Sequence, residues 1–384
     1  MTMSLNPTSI LMIKSHSAGV GDLLRSSAAW RVLKNRFPQA KLHLLFLSKH
    51  PGYASEGLIG AHHLLDSCTF MTLREKSHEV KGVVKTPFKR LLSQTLELAQ
   101  DKEVDCVIDF EMHGLRSSLL TWCLVRAMRK NKHSSPISSF GVGQFPMRSW
   151  FYAKSSVGLD VFAKGRSKTL PMDYTDRDFV ALSALDLERD GVPIELEVES
   201  SSKLRVANML EPFHLKRLKG LDKAWPLLGL NIGCGTPDAL YKRPELEQLV
   251  QALVAFLMRH PHDLVLTGAP FEVAVNEEFA ALFSKRWAEL AQGLKEPCVW
   301  DGAGKTNMTE LSALVSACEL FVSTDSGPYH MAVALRVPTF CWFVVNEPSS
   351  VHRESWCVAS LNPSVQEFVS LTEKLLSPVS LRTH

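Results

Sequence analysis

The sequence predicts two α/β domains, each a parallel sheet of Rossmann-like plan wrapped by crossover helices, facing each other across a cleft. Three observations carry this. The chain has 384 residues, more than one hydrophobic core usually serves. Short apolar runs alternate with amphipathic helical stretches in both halves, the order that builds parallel sheets. Polar, glycine-bearing turns follow strands in both halves, where ligands of such sheets collect. The expected divisions are residues 1–205, residues 225–360, and a C-terminal helix and tail over 361–384, with a junction between Ile194 and Ala224 where the pattern weakens.

In the first half, Ile10 to Ile13 reads as a strand running into Ala18-Gly19-Val20-Gly21-Asp22. A helix is predicted from about Leu23 to Asn35, with Leu23, Leu24, Ala28, Trp30 and Leu33 at amphipathic spacing, and Pro38 stops it. Leu42 to Leu47 is the second strand. A helix over Phe88 to Ala99 leads to a strand at Val104 to Phe110, then a helix from Leu115 to Met128. In the second half the strand Leu227 to Ile232 is followed by a helix over Leu246 to Met258 and a strand at Leu264 to Thr267. A helix spans Glu277 to Leu290, a loop passes through Gly302-Ala303-Gly304-Lys305-Thr306, and a helix covers Thr309 to Ala317. The strand Leu320 to Ser323, a short helix Tyr329 to Leu335, the strand Thr339 to Phe343 and a helical tail over Val365 to Leu376 complete the reading.

Composition excludes several classes. An apolar fraction of 45% with 22% charged residues is that of a folded globular protein. A net charge of +3 with scattered basic residues does not describe a nucleic-acid binder. The local exception is Arg74 to Arg90, with six cations against Glu75 and Glu79: a solvated face, or a surface meeting phosphate-rich substrates or anionic lipid. Eight cysteines without a CxxC pair read as thiols in a reducing compartment. The N-terminal stretch lacks the apolar core of a signal peptide, and no run is long enough to span a bilayer. A cytoplasmic protein is expected, with peripheral attachment to the inner face of the inner membrane left open.

Gly19-Val20-Gly21-Asp22 lacks the third glycine of a dinucleotide fingerprint, Leu24 standing there. Asp22 then either caps its own helix or faces the cleft as a general base. Thr324-Asp325-Ser326-Gly327-Pro328-Tyr329-His330 follows a strand and opens a helix. Gly327 permits close approach, Pro328 fits the first turn, and the unpaired amides there suit a phosphate. Asp325 reads as a turn or cap residue, or one that orients loop amides or touches sugar hydroxyls. His330 is a structural histidine or a donor to phosphate or sugar. Lys242, with Thr236 nearby, either serves solubility or neutralises a diphosphate. Glu272 either starts the next helix or accepts from ribose hydroxyls. A phosphate-loop reading of Gly304-Lys305-Thr306 fails, because Val299 stands where the first glycine belongs.

Taken together, these pieces resemble glycosyltransferase family 9, which includes the ADP-heptose:lipopolysaccharide heptosyltransferases. The likeness spans roughly residues 10 to 350. It is carried by HSAGVGDLLRSSAAWRVLKNRFPQAKLHLL, by VDCVIDFEMHGLRSSLL and by GAGKTNMTELSALVSACELFVSTDSGPYHMAVALRVP. The resemblance implies a GT-B fold, with an N-terminal acceptor-binding and a C-terminal nucleotide-sugar-binding domain. It implies an inverting transferase that needs no metal and no cofactor. The donor is expected to be ADP-heptose and the acceptor a lipopolysaccharide core or related glycan. Asp22 matches the family's base and Lys242 its phosphate-binding lysine. Glu272 matches the acid that holds the ribose. Asp325, Ser326, Gly327, Pro328 and His330 match the donor loop, with Thr306 near the adenosine side. Two departures stand out: Lys242-Arg243-Pro244 lacks the family's tryptophan after the lysine, and Val344-Val345-Asn346-Glu347-Pro348 replaces a Gly-Pro turn. The rival readings are a transferase with another donor or a protein acceptor, a sugar-nucleotide epimerase, and a catalytically silent precursor-binding protein.

Overall fold

Strand β1 (Ser9–His16) starts a six-stranded sheet whose order explains where the functional residues gather. The computed structural model describes residues 6–16, 19–48, 55–76, 83–111, 115–130, 137–143, 147–156, 175–218, 225–234, 237–345 and 351–377. The chain divides into two units, residues 1–194 and 195–384.

In the first unit β1 is followed by helices α1 (Val20–Leu24) and α2 (Ser26–Arg36), β2 (Lys41–Ser48), α3 (Ser55–Gly60) and β3 (Ser67–Thr72). A small hairpin of β4 (Arg74–Lys76) and β5 (Val83–Lys85) precedes α4 (Phe88–Asp101), β6 (Cys106–Asp109), α5 (Arg116–Lys130), β7 (Ser138–Val142), β8 (Lys154–Ser156) and α6 (Asp176–Leu182). The sheet order is β3-β2-β1-β6-β7-β8, every pair parallel. The chain works outward from β1 in one direction, then returns to its other side with β6. That reversal leaves a crevice at the carboxyl ends of β1 and β6.

The second unit repeats the plan. After α7 (Ser200–Leu218) come β9 (Leu227–Asn231), α8 (Leu246–Leu257), β10 (Asp263–Thr267), α9 (Val273–Leu290), β11 (Val299–Asp301), α10 (Met308–Ser316), β12 (Leu320–Thr324), α11 (Gly327–Ala334), β13 (Thr339–Phe343), β14 (Cys357–Leu361) and α12 (Val365–Leu375). Its all-parallel order β11-β10-β9-β12-β13-β14 puts the reversal between β9 and β12. Both units are therefore Rossmann-like, the two-domain plan of GT-B glycosyltransferases. Strands β9, β10, β12 and β13 are buried along their whole length, as a parallel sheet covered on both faces requires. Phe279, Phe283 and Trp287, one helical turn apart on α9, join the core there. So do Phe256 of α8 and Phe368 of α12, which meets Phe340 and Trp342. Each such ring contributes roughly 1.5–3 kcal/mol by leaving water.

Several elements differ from the sequence reading. The first helix begins at Val20, three residues early, and is interrupted at Arg25. Ser27 Oγ bonds back to the Leu24 carbonyl at 2.6 Å, a contact that competes with regular helix hydrogen bonding. The weakly patterned stretch after Ile194 contains the 19-residue helix α7. Among the residues whose burial is described, a narrow stripe of Ser202, Val206, Leu210 and Phe213 is buried, too little apolar signal to read as a helix. Arg205 Nε donates to Glu310 Oε1 of α10 at 2.8 Å, tying this helix to the second unit. The loop before α10 opens with the short strand β11, and α9 starts four residues before the expected Glu277. The basic stretch from Arg74 forms the β4–β5 hairpin and the start of α4; residues 77–82 lie outside the described residues. None of the eight cysteines forms a disulfide. Among the described residues, no helix is long and apolar enough to cross a membrane.

Candidate functional site

The reversal point of the second unit is built from buried polar side chains. Asn231, ending β9, donates through Nδ2 to the Gly233 carbonyl (2.8 Å) and to Ser326 Oγ (3.1 Å), and accepts from Thr267 Oγ1 of β10 (3.1 Å). Thr324, ending β12, donates to the same Gly233 carbonyl at 2.6 Å. One buried amide thus ties three strands together and sets the height of the loops above them.

Glu272 locks the next loop. It is 1% exposed. Its Oε1 accepts from the Cys234 N–H at 2.9 Å and its Oε2 from the Ala269 N–H at 2.7 Å, while Arg243 Nη2 lies 3.7 Å from Oε1. Gly233 is required beneath it, since a Cβ there would stand 1.6 Å from Glu272 Oε1. Gly304, at φ +68°, donates to the Gly268 carbonyl at 2.9 Å and draws the turn after β11 into the group. The loops following β9, β10 and β11 are therefore bolted to one another.

Lys242 and Asp325 form the charged element. Lys242 ends a short 3₁₀ turn (Pro237–Lys242), and its Nζ donates to Asp325 Oδ2 at 2.8 Å and to the Asp325 carbonyl at 3.3 Å. Burial works against the ammonium, but the hydrogen bond and charge of Asp325 outweigh it and raise the lysine pKa above its usual value. Lys242 is thus a fixed cation at the mouth of the crevice. Asp325, paired with it, orients the lysine rather than standing as a lone negative charge. Behind them α11 starts at Gly327 with Pro328 in its first turn, and the hydroxyl of its N-cap Ser326 does not cap it. That hydroxyl is spent within the buried network, donating to the Thr324 carbonyl at 3.3 Å.

His330, one turn into α11, is backed by two further buried polar residues. Its Nδ1 lies 2.8 Å from His352 Nε2, and His352 Nδ1 lies 3.7 Å from Glu354 Oε2, all three residues being buried. The Tyr329 hydroxyl accepts from the His352 N–H at 3.1 Å and fixes that segment. His352 and Glu354, like Asn231 and Thr267, were not found by sequence reasoning. Thr306 is half-buried in the turn before α10. Thr236, Asn346, Glu347 and Pro348 lie outside the described residues.

The first unit has its own pocket at the corresponding reversal point. It is lined by Lys14, Asp22, Arg25, Phe110, Glu111, Arg177 and Asp178, three carboxylates against three cations. The N-cap of α1 is Gly19, and among the described residues Asp22 makes no capping hydrogen bond. Its carboxylate is 47% exposed, with Oδ1 3.9 Å from Arg25 Nη1. Lys14 is buried and doubly bonded to Asp178, at 2.7 and 2.8 Å. Glu111 accepts from the Ser15 N–H at 2.7 Å and pins the end of β1; burial pushes its pKa up against that bond and the charge of Lys14. Beneath it, Asp109 is wholly buried, accepting from Tyr152 Oη at 2.7 Å and from the Glu111 N–H at 2.9 Å, and burial raises its pKa to about 6. Asp22 and Lys242 thus belong to different units, each at the reversal point of its own sheet. Among the described residues, no group of three or more His, Cys, Asp or Glu is placed to hold a metal ion.

Residues 253–370, which include the Asp325–His330 loop, match the profile of glycosyltransferase family 9 (heptosyltransferase). The match lies within the second unit and covers less than half of the chain. The chain is 33% identical over 92 residues to lipopolysaccharide heptosyltransferase 3 of Escherichia coli, covering 24% of this chain and 24% of that relative; it spans about a quarter of that relative's length. Solved structures extend the family likeness in fold to both units. A family 9 glycosyltransferase from Veillonella parvula superposes with a TM-score of 0.64 at 17% identity, covering 97% of this chain and 98% of that one. The Escherichia coli ADP-heptose lipopolysaccharide heptosyltransferase II gives 0.62 at 18% identity, covering 96% and 98%.

Proposed function

We propose that the protein is an inverting heptosyltransferase that moves heptose from ADP-heptose to a lipopolysaccharide inner-core acceptor without a metal ion. The observation that carries the reading is the Lys242–Asp325 pair beside the uncapped start of α11, at the reversal point of the unit that resembles family 9. A diphosphate seated there meets a fixed ammonium and the amides around Gly327, aligned with the positive end of the helix dipole. Thr236, Glu272, Thr306, Ser326, Pro328 and His330 complete the proposed donor site. Both oxygens of Glu272 already accept a backbone N–H, so a ribose hydroxyl would use the lone pairs that remain. Its larger task is to hold the loops in place.

In the proposed step an acceptor hydroxyl oxygen attacks the anomeric carbon of the heptose and its proton passes to Asp22. The bond from that carbon to the diphosphate oxygen breaks, and ADP leaves with the electron pair. Attack opposite the leaving group inverts the configuration. Lys242 and the loop amides act on the charge that grows on the departing phosphate, where electrostatic help lowers the barrier most. The reading requires the two units to bring Asp22 and the donor loop together during turnover, excluding water. An exposed carboxylate that does not cap its own helix is suited to this exchange of protons.

The test is release of ADP from ADP-heptose in the presence of a heptose-deficient lipopolysaccharide acceptor, with Asp22→Asn alongside. Turnover is expected for the wild type and lost in the variant, with donor binding retained. Unchanged turnover in Asp22→Asn removes its role as base, and no turnover by the wild type with this pair removes the assignment of donor and acceptor.

A further inference from the structure

Residues 112–159 contain seven Lys and Arg and no Asp or Glu, while the rest of the chain carries 36 cations and 40 acids. This acid-free stretch holds α5 and the 3₁₀ turn Arg148–Phe151, which pack on each other through an edge contact of Trp122 with Phe151, ring centroids 6.2 Å apart. Both elements expose large apolar side chains. Trp150 is 76% exposed, Met147 53% and Leu115 47%, although large apolar side chains of this kind are normally withdrawn from water. Leu115, Leu119, Trp122 and Arg126 follow one another at helical spacing along the partly exposed side of α5. The cations border it. Arg126 stacks on Trp122, its guanidinium carbon 4.6 Å from the ring centroid, and Arg129 and Lys130 stand exposed in the last turn of the helix.

We propose that this face docks the first unit onto an anionic phospholipid bilayer. Exposed tryptophan and methionine with a border of arginine and lysine are what the boundary between headgroups and acyl chains accepts: the rings enter it while the cations remain at the phosphates. A second copy of the chain does not fit as well, because a two-fold interface would set the same cations against themselves with no acid within the stretch to offset them. The surface is distinct from the pocket around Asp22, so the proposal stands whether or not the transfer reaction is as assigned.

The test uses the full chain and sedimentation with vesicles of phosphatidylcholine containing roughly a third phosphatidylglycerol, against vesicles of phosphatidylcholine alone. Binding is expected only to the anionic vesicles, weakening as salt rises from about 0.1 to 0.5 M because screening shortens the reach of the charges. Replacing Arg126, Arg129 and Lys130 by Gln together should weaken binding about a hundred-fold, at about five-fold per cation. The pair Met147→Ser and Trp150→Ser should abolish it with the melting temperature and the charge unchanged. The proposal is overturned if the wild type ignores anionic vesicles or if both sets of variants bind as it does. It is also overturned if the chain is a dimer that Trp150→Ser dissociates while vesicle binding persists.

Discussion

Asp109 offers a quantitative test of the scaffold under the first-unit pocket. Its carboxyl is fully buried, and burial raises its pKa from 3.8 to about 6, although Tyr152 Oη and the Glu111 N–H donate to it and Arg148 Nη2 lies 3.7 Å away. A carboxyl whose pKa is higher in the folded than in the unfolded chain holds more protons when folded. Stability therefore falls as pH rises from about 4 to about 6 and is level above that. A rise of about two pKa units corresponds to about 3 kcal/mol in all. Asp109→Asn is neutral at every pH and nearly the same size, so it escapes this loss. The stability of the variant relative to wild type should increase by about 3 kcal/mol between pH 4 and pH 7. Urea denaturation of both proteins at several pH values, read as the difference at each, removes the terms they share. Parallel stability profiles across this window would refute the buried, charge-penalised state of Asp109.

Three further outcomes follow from the donor-loop geometry. Gly233→Ala puts a methyl 1.6 Å from Glu272 Oε1, so the loop must shift; a loss of roughly 1–3 kcal/mol is expected in chemical denaturation, with weaker ADP binding by calorimetry. Glu272→Gln turns one acceptor into a donor facing the N–H of Cys234 or Ala269, and leaving a buried amide without its acceptor should cost about 1–3 kcal/mol. Lys242→Ala removes the cation held by Asp325; ADP affinity measured by calorimetry should fall about ten-fold or more, with Lys242→Arg recovering part of it.

Much of the architecture was legible because apolar period and punctuation agreed. The strand Thr339–Phe343 falls where it was expected, and the Asp325-Ser326-Gly327-Pro328 turn does follow a strand and open a helix. What escaped was short, or depended on partners far along the chain. β11 has three half-buried residues, and among the residues whose burial is described α7 buries one narrow stripe. Asn231 and Thr267 are ordinary polar residues until the sheet order sets β9 between β10 and β12. His352 gains its meaning from His330, 22 residues earlier. From the sequence Glu272 reads as a helix start or a ribose acceptor; it does stand at the N-cap of α9, and its carboxylate clamps two loops by their amides, which no local pattern announces. Arg25, Glu111, Arg177 and Asp178 are scattered over the first unit, and only folding collects them around Asp22.

The central claim is that the crevice between β9 and β12 cradles the diphosphate of a nucleotide sugar. A crystal of the full chain soaked with ADP tests it directly. The diphosphate is expected within hydrogen-bonding reach of Lys242 Nζ and of the amides at the start of α11. ADP bound elsewhere, with the Lys242–Asp325 pair untouched, would contradict it.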